Sequence, residues 1–125
     1  MLFRSNTLNR FGRLDVLVNN ASSFYATPVG AIDERAWDDL MGTNLRVPLF
    51  LSQAAAPALK KAGGCIVNIV DIHAERPLKG YVVYSIAKAG LAAMTRSLAL
   101  ELAPEVRVNG VAPGDRKSTR LNSSH

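Results

Sequence analysis

The chain has 125 residues with a single cysteine, is 48% hydrophobic and 20% charged, and carries a net charge of +5. That length fits one domain with a real core. The composition is that of an ordinary soluble chain, excludes an internal disulfide or a cysteine-based metal site, and holds no apolar run long enough to cross a bilayer. The positive charge does not point to nucleic acid: Asp115–His125 supplies +2 of the +5, and the rest is scattered without an aromatic-rich basic stripe.

The opening residues, MLFRSNTLNRFGRLD, lack the apolar centre of a secretory signal, so a cytoplasmic location is expected. LDVLVNN, from Leu14, is a short apolar run of the kind that forms a strand buried on both faces. Asp33 is a helix cap, and Trp37, Leu40, Met41, Asn44 and Leu45 follow at helical spacing, with Trp37 expected in the core. That helix should run to about Lys61, kink or break at Pro48 or Pro57, and stop at Gly63–Gly64. Cys65–Asp71 is a second buried strand, in which Cys65 is expected to be an inert apolar residue. The stretch YSIAKAGLAAMTRSLALELA is a helix ended by Pro104, and Val106–Ala112 is a third strand. The second long helix is apolar nearly all round, so one face is expected on the sheet and the other on another subunit.

The order strand–helix–strand–helix–strand predicts an α/β fold with parallel strands and right-handed crossovers, part of a doubly wound sheet. Ligands of such sheets sit beyond the carboxyl ends of the strands. Those ends run into Asn20-Ala21-Ser22, Asp71 and Pro113-Gly114, while Tyr84 and Lys88 begin the helix after the second strand. The candidate residues therefore converge on one edge.

Tyr84 and Lys88 are four apart and share a helical face. A free tyrosine loses its proton near pH 10, and bringing it to roughly 7 needs about 4 kcal/mol in favour of the phenolate. An ammonium ~4 Å away supplies about that much at an effective dielectric near 20. Lys88 is thus expected to lower Tyr84, with an ionised Asp71 opposing it and the three titrating as a set. Such a set can donate a proton during a reduction. His73 and Glu75–Arg76 read as loop residues near the site, and with no second histidine before the tail a metal site is not expected.

VLVNNA, TNL, YSIAKAGL and VRVNGVAPG, in this order, resemble the short-chain dehydrogenase/reductases, which bind NAD(P) on a Rossmann-type fold; the likeness covers Phe11–Gly114. The resemblance implies that Tyr84 and Lys88 do the proton chemistry and that Asn44 supports a water-linked relay. It implies that Asn19–Ala21 supports the sheet centre and lines the cofactor, with Pro113 and Gly114 beside the nicotinamide. Where most members carry a serine, this chain carries Asp71, and NNASSFY replaces the usual Asn-Asn-Ala-Gly. Both departures resemble pteridine reductases. That likeness implies NADPH as cofactor and a dihydropterin-type substrate, with Asp71 acting alongside Tyr84. It also implies that Phe24 stacks on the pterin and that Ser22 bonds near cofactor and substrate. A carbonyl or 3-oxoacyl-type reductase of the same family remains an alternative, as does an inactive association module. The parent is expected to be a homo-oligomer joined through its two long helices, with no nucleic-acid or membrane partner.

None of the nine glycines follows a strand in a glycine-rich phosphate-binding turn, so residues 1–114 are expected to be a partial domain without the adenosine half or the residue that selects NADP over NAD. As written, the chain is expected to be inactive. Asp115–His125, DRKSTRLNSSH, lacks apolar periodicity and resembles a translated sequencing adapter; it is expected to be a non-native, unstructured tail.

Overall fold

The computed structural model describes residues 9–10, 13–20, 23–112 and 120–121. Strands β1 (Asn9–Arg10) and β2 (Arg13–Leu14) form a short antiparallel pair. The main sheet contains β3 (Val16–Asn19), β4 (Cys65–Ile69), β5 (Arg107–Val111) and β6 (Arg120–Leu121), in that spatial order. Strands β3, β4 and β5 are parallel and in register, with Leu17, Ile66 and Val108 side by side and Asn19, Asn68 and Gly110 at the next buried level. Strand β6 pairs antiparallel with Gly110–Val111, so the expected structureless tail includes two paired residues. A short edge strand is tolerated because any chain can satisfy the unpaired backbone groups of a sheet edge.

Helices α1 (Glu34–Met41) and α2 (Val47–Ala62) join β3 to β4, and α3 (Val82–Leu102) joins β4 to β5. The sheet core is Leu17, Ile66 and Val108 against Leu51 and Leu59 of α2 and Ala99 of α3. Each fully buried leucine of this kind contributes roughly 1.5–3 kcal/mol. The expected burial of the strands on both faces is corrected here. Side chains alternate between buried and half-buried or exposed along β3, β4 and β5. Two consecutive right-handed crossovers that step in the same direction put their helices on the same face, so among the described residues the other face (Val16, Val18, Val67) has no helical layer.

The helix expected from Asp33 to about Lys61, with a kink or break at Pro48 or Pro57, is two helices separated by a π-helical turn, Gly42–Arg46, while Pro57 lies inside α2. Pro48 explains the break. It has no N–H, so in a continuous α-helix the Asn44 carbonyl would lose its partner and meet the proline ring. The chain widens ahead of it instead, and Pro48 falls in the first turn of α2, where a missing N–H costs nothing. Asp33 caps α1, its Oδ1 accepting from the Ala36 amide at 2.8 Å. Gly63 ends α2 at a left-handed φ of 65°, with the Gly64 amide returning to the Leu59 carbonyl at 2.9 Å.

Trp37 is not a core residue: it is 43% exposed. Leu40 is the fully buried side chain of α1 and packs with Val83 and Tyr84. An eight-residue helix has one inward row, and Leu40 occupies it, leaving Trp37 in an open groove with Leu49 and Phe50.

Candidate active site

Strand β4 delivers Asp71 to the sheet's carboxyl edge. Val70 still pairs with β5, its amide donating to the Val111 carbonyl at 2.7 Å. Asp71 then opens a 3₁₀ turn, Ile72–Ala74, whose His73 amide donates to Asp71 Oδ1 at 3.0 Å. The other oxygen remains for the site: the Tyr84 hydroxyl donates to Asp71 Oδ2 at 2.7 Å. One carboxylate thus caps a turn and accepts from the phenol. A cap alone would have left Oδ2 to solvent.

Tyr84 lies in the first turn of α3 and is 4% exposed. Lys88 is one turn further along, its Nζ 5.8 Å from the centre of the Tyr84 ring and donating to the Ile69 carbonyl at 3.1 Å. This geometry overturns the expectation that Lys88 lowers Tyr84. Burial pushes the Tyr84 phenol well above its usual range, and the hydrogen bond to Asp71 and the Asp71 charge push the same way. The ammonium is held on a backbone carbonyl, its Nζ 5.8 Å from the centre of the Tyr84 ring, and does not offset these effects. Lys88 itself is lowered by burial, against the raising effect of Asp71. For Asp71, burial acts to raise the carboxyl, but the Tyr84 hydroxyl, the His73 amide and the charges of His73 and Lys88 outweigh it and hold it below its ordinary value. At neutral pH the pair is therefore a phenol donating to a carboxylate.

Phe24 packs against Tyr84. Its ring meets Tyr84 edge-on (4.8 Å between centroids, 80° between planes) and stacks on Tyr81 (4.7 Å, 15°). Phe24 is 53% exposed, so much of the ring remains open to a ligand. The loop carrying it is clipped to α3. The Thr27 amide donates to the Gly80 carbonyl at 2.8 Å, and the Thr27 hydroxyl accepts from the Val83 amide at 3.2 Å. Tyr81, the cap residue of α3, makes no side-chain capping bond of its own, so Thr27 supplies the helix cap from a distant loop.

Neither Tyr81 nor Thr27 was expected from sequence. Tyr81, Tyr84 and Lys88 share one helical face at spacings of three and four, a signal that could have found Tyr81. Thr27 has no local signal, because the amide that it caps is 56 residues away.

Asn44 is fully buried in the π turn, with Nδ2 donating to the Ser23 carbonyl at 3.1 Å and the Leu40 carbonyl at 2.9 Å. Among the described residues its Oδ1 has no partner, and no direct hydrogen bond joins Asn44 to Tyr84, Lys88 or Asp71. Leu45 packs against Gly90 of α3, where a Cβ would lie 3.1 Å from Leu45 Cδ2. Below the site, Asn19 Nδ2 donates to Asn68 Oδ1 at 2.8 Å, and Asn68 Nδ2 donates to Thr95 Oγ1 at 2.9 Å, tying β3, β4 and α3 together. Asn20 is exposed at the end of β3. Ala21, Ser22, Pro113 and Gly114 lie outside the described residues.

The residues present fit the nicotinamide half of a dinucleotide. The Lys88 ammonium has three donors, and its one described hydrogen bond leaves others for ribose hydroxyls. The orphaned Asn44 Oδ1 is a buried acceptor available to a bridging water. Among the described residues no group of His, Cys, Asp and Glu could hold a metal ion, and no helix is long and apolar enough to cross a membrane.

A protein-family model described as short chain dehydrogenase matches residues 3–125. Pteridine reductase 1 of Leishmania tarentolae is 44% identical over 126 residues, covering 83% of this chain and 44% of the relative. D-xylose 1-dehydrogenase of Caulobacter vibrioides is 42% identical over 111 residues, covering 87% of this chain and 45% of the relative. In three dimensions the chain resembles acetoin dehydrogenase from Enterobacter cloacae with a TM-score of 0.78, at 40% identity over 84% of this chain and 43% of that one. The chain spans less than half the length of each.

Proposed function

The chain belongs to the short-chain dehydrogenase family, and on that footing we propose that the whole protein is an NADPH-dependent oxidoreductase reducing a dihydropterin-type substrate. The observation that carries the reading is the 2.7 Å bond from the Tyr84 hydroxyl to Asp71, with the Phe24 ring packed edge-on against Tyr84. A serine at position 71 would suit a carbonyl oxygen. A carboxylate suits a ring bearing amino groups, whose N–H donors it can accept. Phe24 offers a flat apolar face to such a ring.

In this reading Tyr84 is the proton donor. The Asp71 charge holds the proton on Tyr84 in the structure described. Substrate N–H groups bonding to Asp71 draw that charge away, so the phenol becomes a better acid once substrate is seated. Lys88 holds the ribose and places a positive charge behind the developing phenolate. Asn44 anchors the proton route through its free Oδ1. A bound nicotinamide supplies the hydride. Asn20, Ala21, Ser22, Pro113 and Gly114 are assigned to the cofactor's edge, and Ser22 also to the substrate. Residues 1–114 are assigned to the partial cofactor-binding domain, and Asp115–His125 to no function. The 125-residue chain alone is expected to be inactive, and the whole protein to pair with itself through α2 and α3.

The test is turnover by the whole protein with NADPH and NADH, on dihydrobiopterin and on a panel of ketones and aldoses. Pterin reduction should fall at least about a hundredfold in Asp71→Ser, and its KM should rise about threefold to tenfold in Phe24→Ala, the worth of one aromatic stack. The 42% identity to a sugar dehydrogenase favours a second reading, a carbonyl or 3-oxoacyl-type reductase. Ketone or aldose turnover without pterin turnover, indifferent to Phe24→Ala, would establish that reading instead.

A further inference from the structure

We propose that His73 supplies protons to the Asp71–Tyr84 pair, acting through the Asp71 oxygen that Tyr84 leaves free; the proposal rests on the reading of Tyr84 as proton donor. Three contacts carry it. Tyr84 occupies Asp71 Oδ2, and the His73 amide holds the carboxylate by Oδ1. The His73 ring places Nε2 4.0 Å from the same Oδ1. Its Nδ1 lies 2.9 Å from the Arg76 carbonyl. A carbonyl only accepts, so Nδ1 must carry hydrogen, and the nitrogen turned toward Asp71 is the one that gains and loses a proton. The ring is partly exposed, with 28% of its side chain open, so it reaches both solvent and carboxylate.

When Tyr84 gives its proton to the substrate, the Tyr84 O–H bond breaks and a substrate N–H or O–H bond forms. That leaves a phenolate beside a carboxylate. The His73 Nε2–H bond then breaks as an Asp71 Oδ1–H bond forms; the carboxyl turns about its Cβ–Cγ bond to bring that hydrogen to Tyr84, and the O–H bond breaks as the Tyr84 O–H bond is restored. The ring is reprotonated from water, so the net transfer is one proton from solvent to substrate. The 4.0 Å gap exceeds a hydrogen bond and is crossed by one bridging water or a small turn of the ring. The charged and titratable groups of its own loop are Asp71, Glu75, Arg76 and Lys79, and those at the start of the facing helix α3 are Tyr84 and Lys88; the Lys88 charge also acts on Asp71. A histidine cation beside Asp71 offsets the two negative charges at the moment they coexist.

The test compares the whole protein with its His73→Gln and His73→Ala variants. In both, kcat should fall about tenfold while KM holds, and the loss should be larger at acidic than at alkaline pH. Imidazole buffer should restore His73→Ala, whose side chain leaves room for it. The neutral His73 ring should show the Nδ1–H tautomer by nitrogen NMR. Unchanged kcat and pH profile, a loss that imidazole does not repair, or the Nε2–H tautomer would each overturn the proposal. If the wild type reduces a ketone and not a pterin, the substrate reading fails and the His73 comparison is made on that ketone. If Tyr84→Phe keeps full turnover, the proton-donor reading fails and the His73 proposal with it.

Discussion

The two oxygens of Asp71 take different bonds, one from the His73 amide and one from the Tyr84 hydroxyl. Both bonds stabilise the charged carboxylate, and the second stabilises the protonated phenol. The pH consequences have opposite signs. Asp71 is held below its ordinary 3.8, so its contribution to stability is full above that pH and disappears as pH falls through the folded value. Tyr84 is held above its ordinary 10.0, so its contribution is full below that pH and disappears as pH rises through the folded value. Asp71→Asn in the whole protein should therefore flatten the acid side of a melting-temperature profile. It should also bring the Tyr84 phenolate, followed by near-ultraviolet absorbance against a Tyr84→Phe blank, to lower pH. An unmoved phenolate would mean that burial alone sets Tyr84.

At the level of elements, the site depends on where α3 starts and how α2 ends. Thr27 caps α3 from another loop, and that loop carries Phe24. Thr27→Val keeps the shape and removes the acceptor, so it should cost about 1 kcal/mol in denaturant unfolding and raise KM by displacing Phe24. Thr27→Ser should recover most of both. A larger loss in Thr27→Ser than in Thr27→Val would show that the methyl group, not the hydroxyl, matters. At the other end, a Cβ on Gly64 would collide with the Asp15 carbonyl, which also accepts from the Cys65 amide at 3.0 Å. Gly64→Ala should cost about 2 kcal/mol or more, measured in the same unfolding experiment, because backbone must move where β3 and β4 first pair.

For the whole molecule, the exposed row on α3 runs Ile86, Ala89, Ala93 and Leu100, with Ile86 44% and Leu100 71% exposed. Small residues in the middle of such a row let a second helix approach closely. Ala93→Glu should lower the sedimentation mass of the whole protein toward the monomer without lowering its melting temperature as a monomer; an unchanged mass would remove α3 from the pairing surface. The parallel α/β order, the strands at Cys65 and Arg107, the Gly63 stop and the grouping of Asp71, Tyr84 and Lys88 were all legible in the sequence. Each follows from local rules: apolar runs, a left-handed glycine, helical spacing and the strand-end position of ligands. The π turn ahead of Pro48, the exposure of Trp37, the Thr27 cap and the upward shift of Tyr84 were not. They depend on which distant groups meet, and neighbours brought together by packing leave no periodicity in the chain. The sequence by itself determined which chemical groups reach the sheet edge. Only the tertiary structure decided that Lys88 binds a backbone carbonyl while Asp71 holds the phenol's proton, because the balance of charge there is set by distances of a few ångströms and by burial.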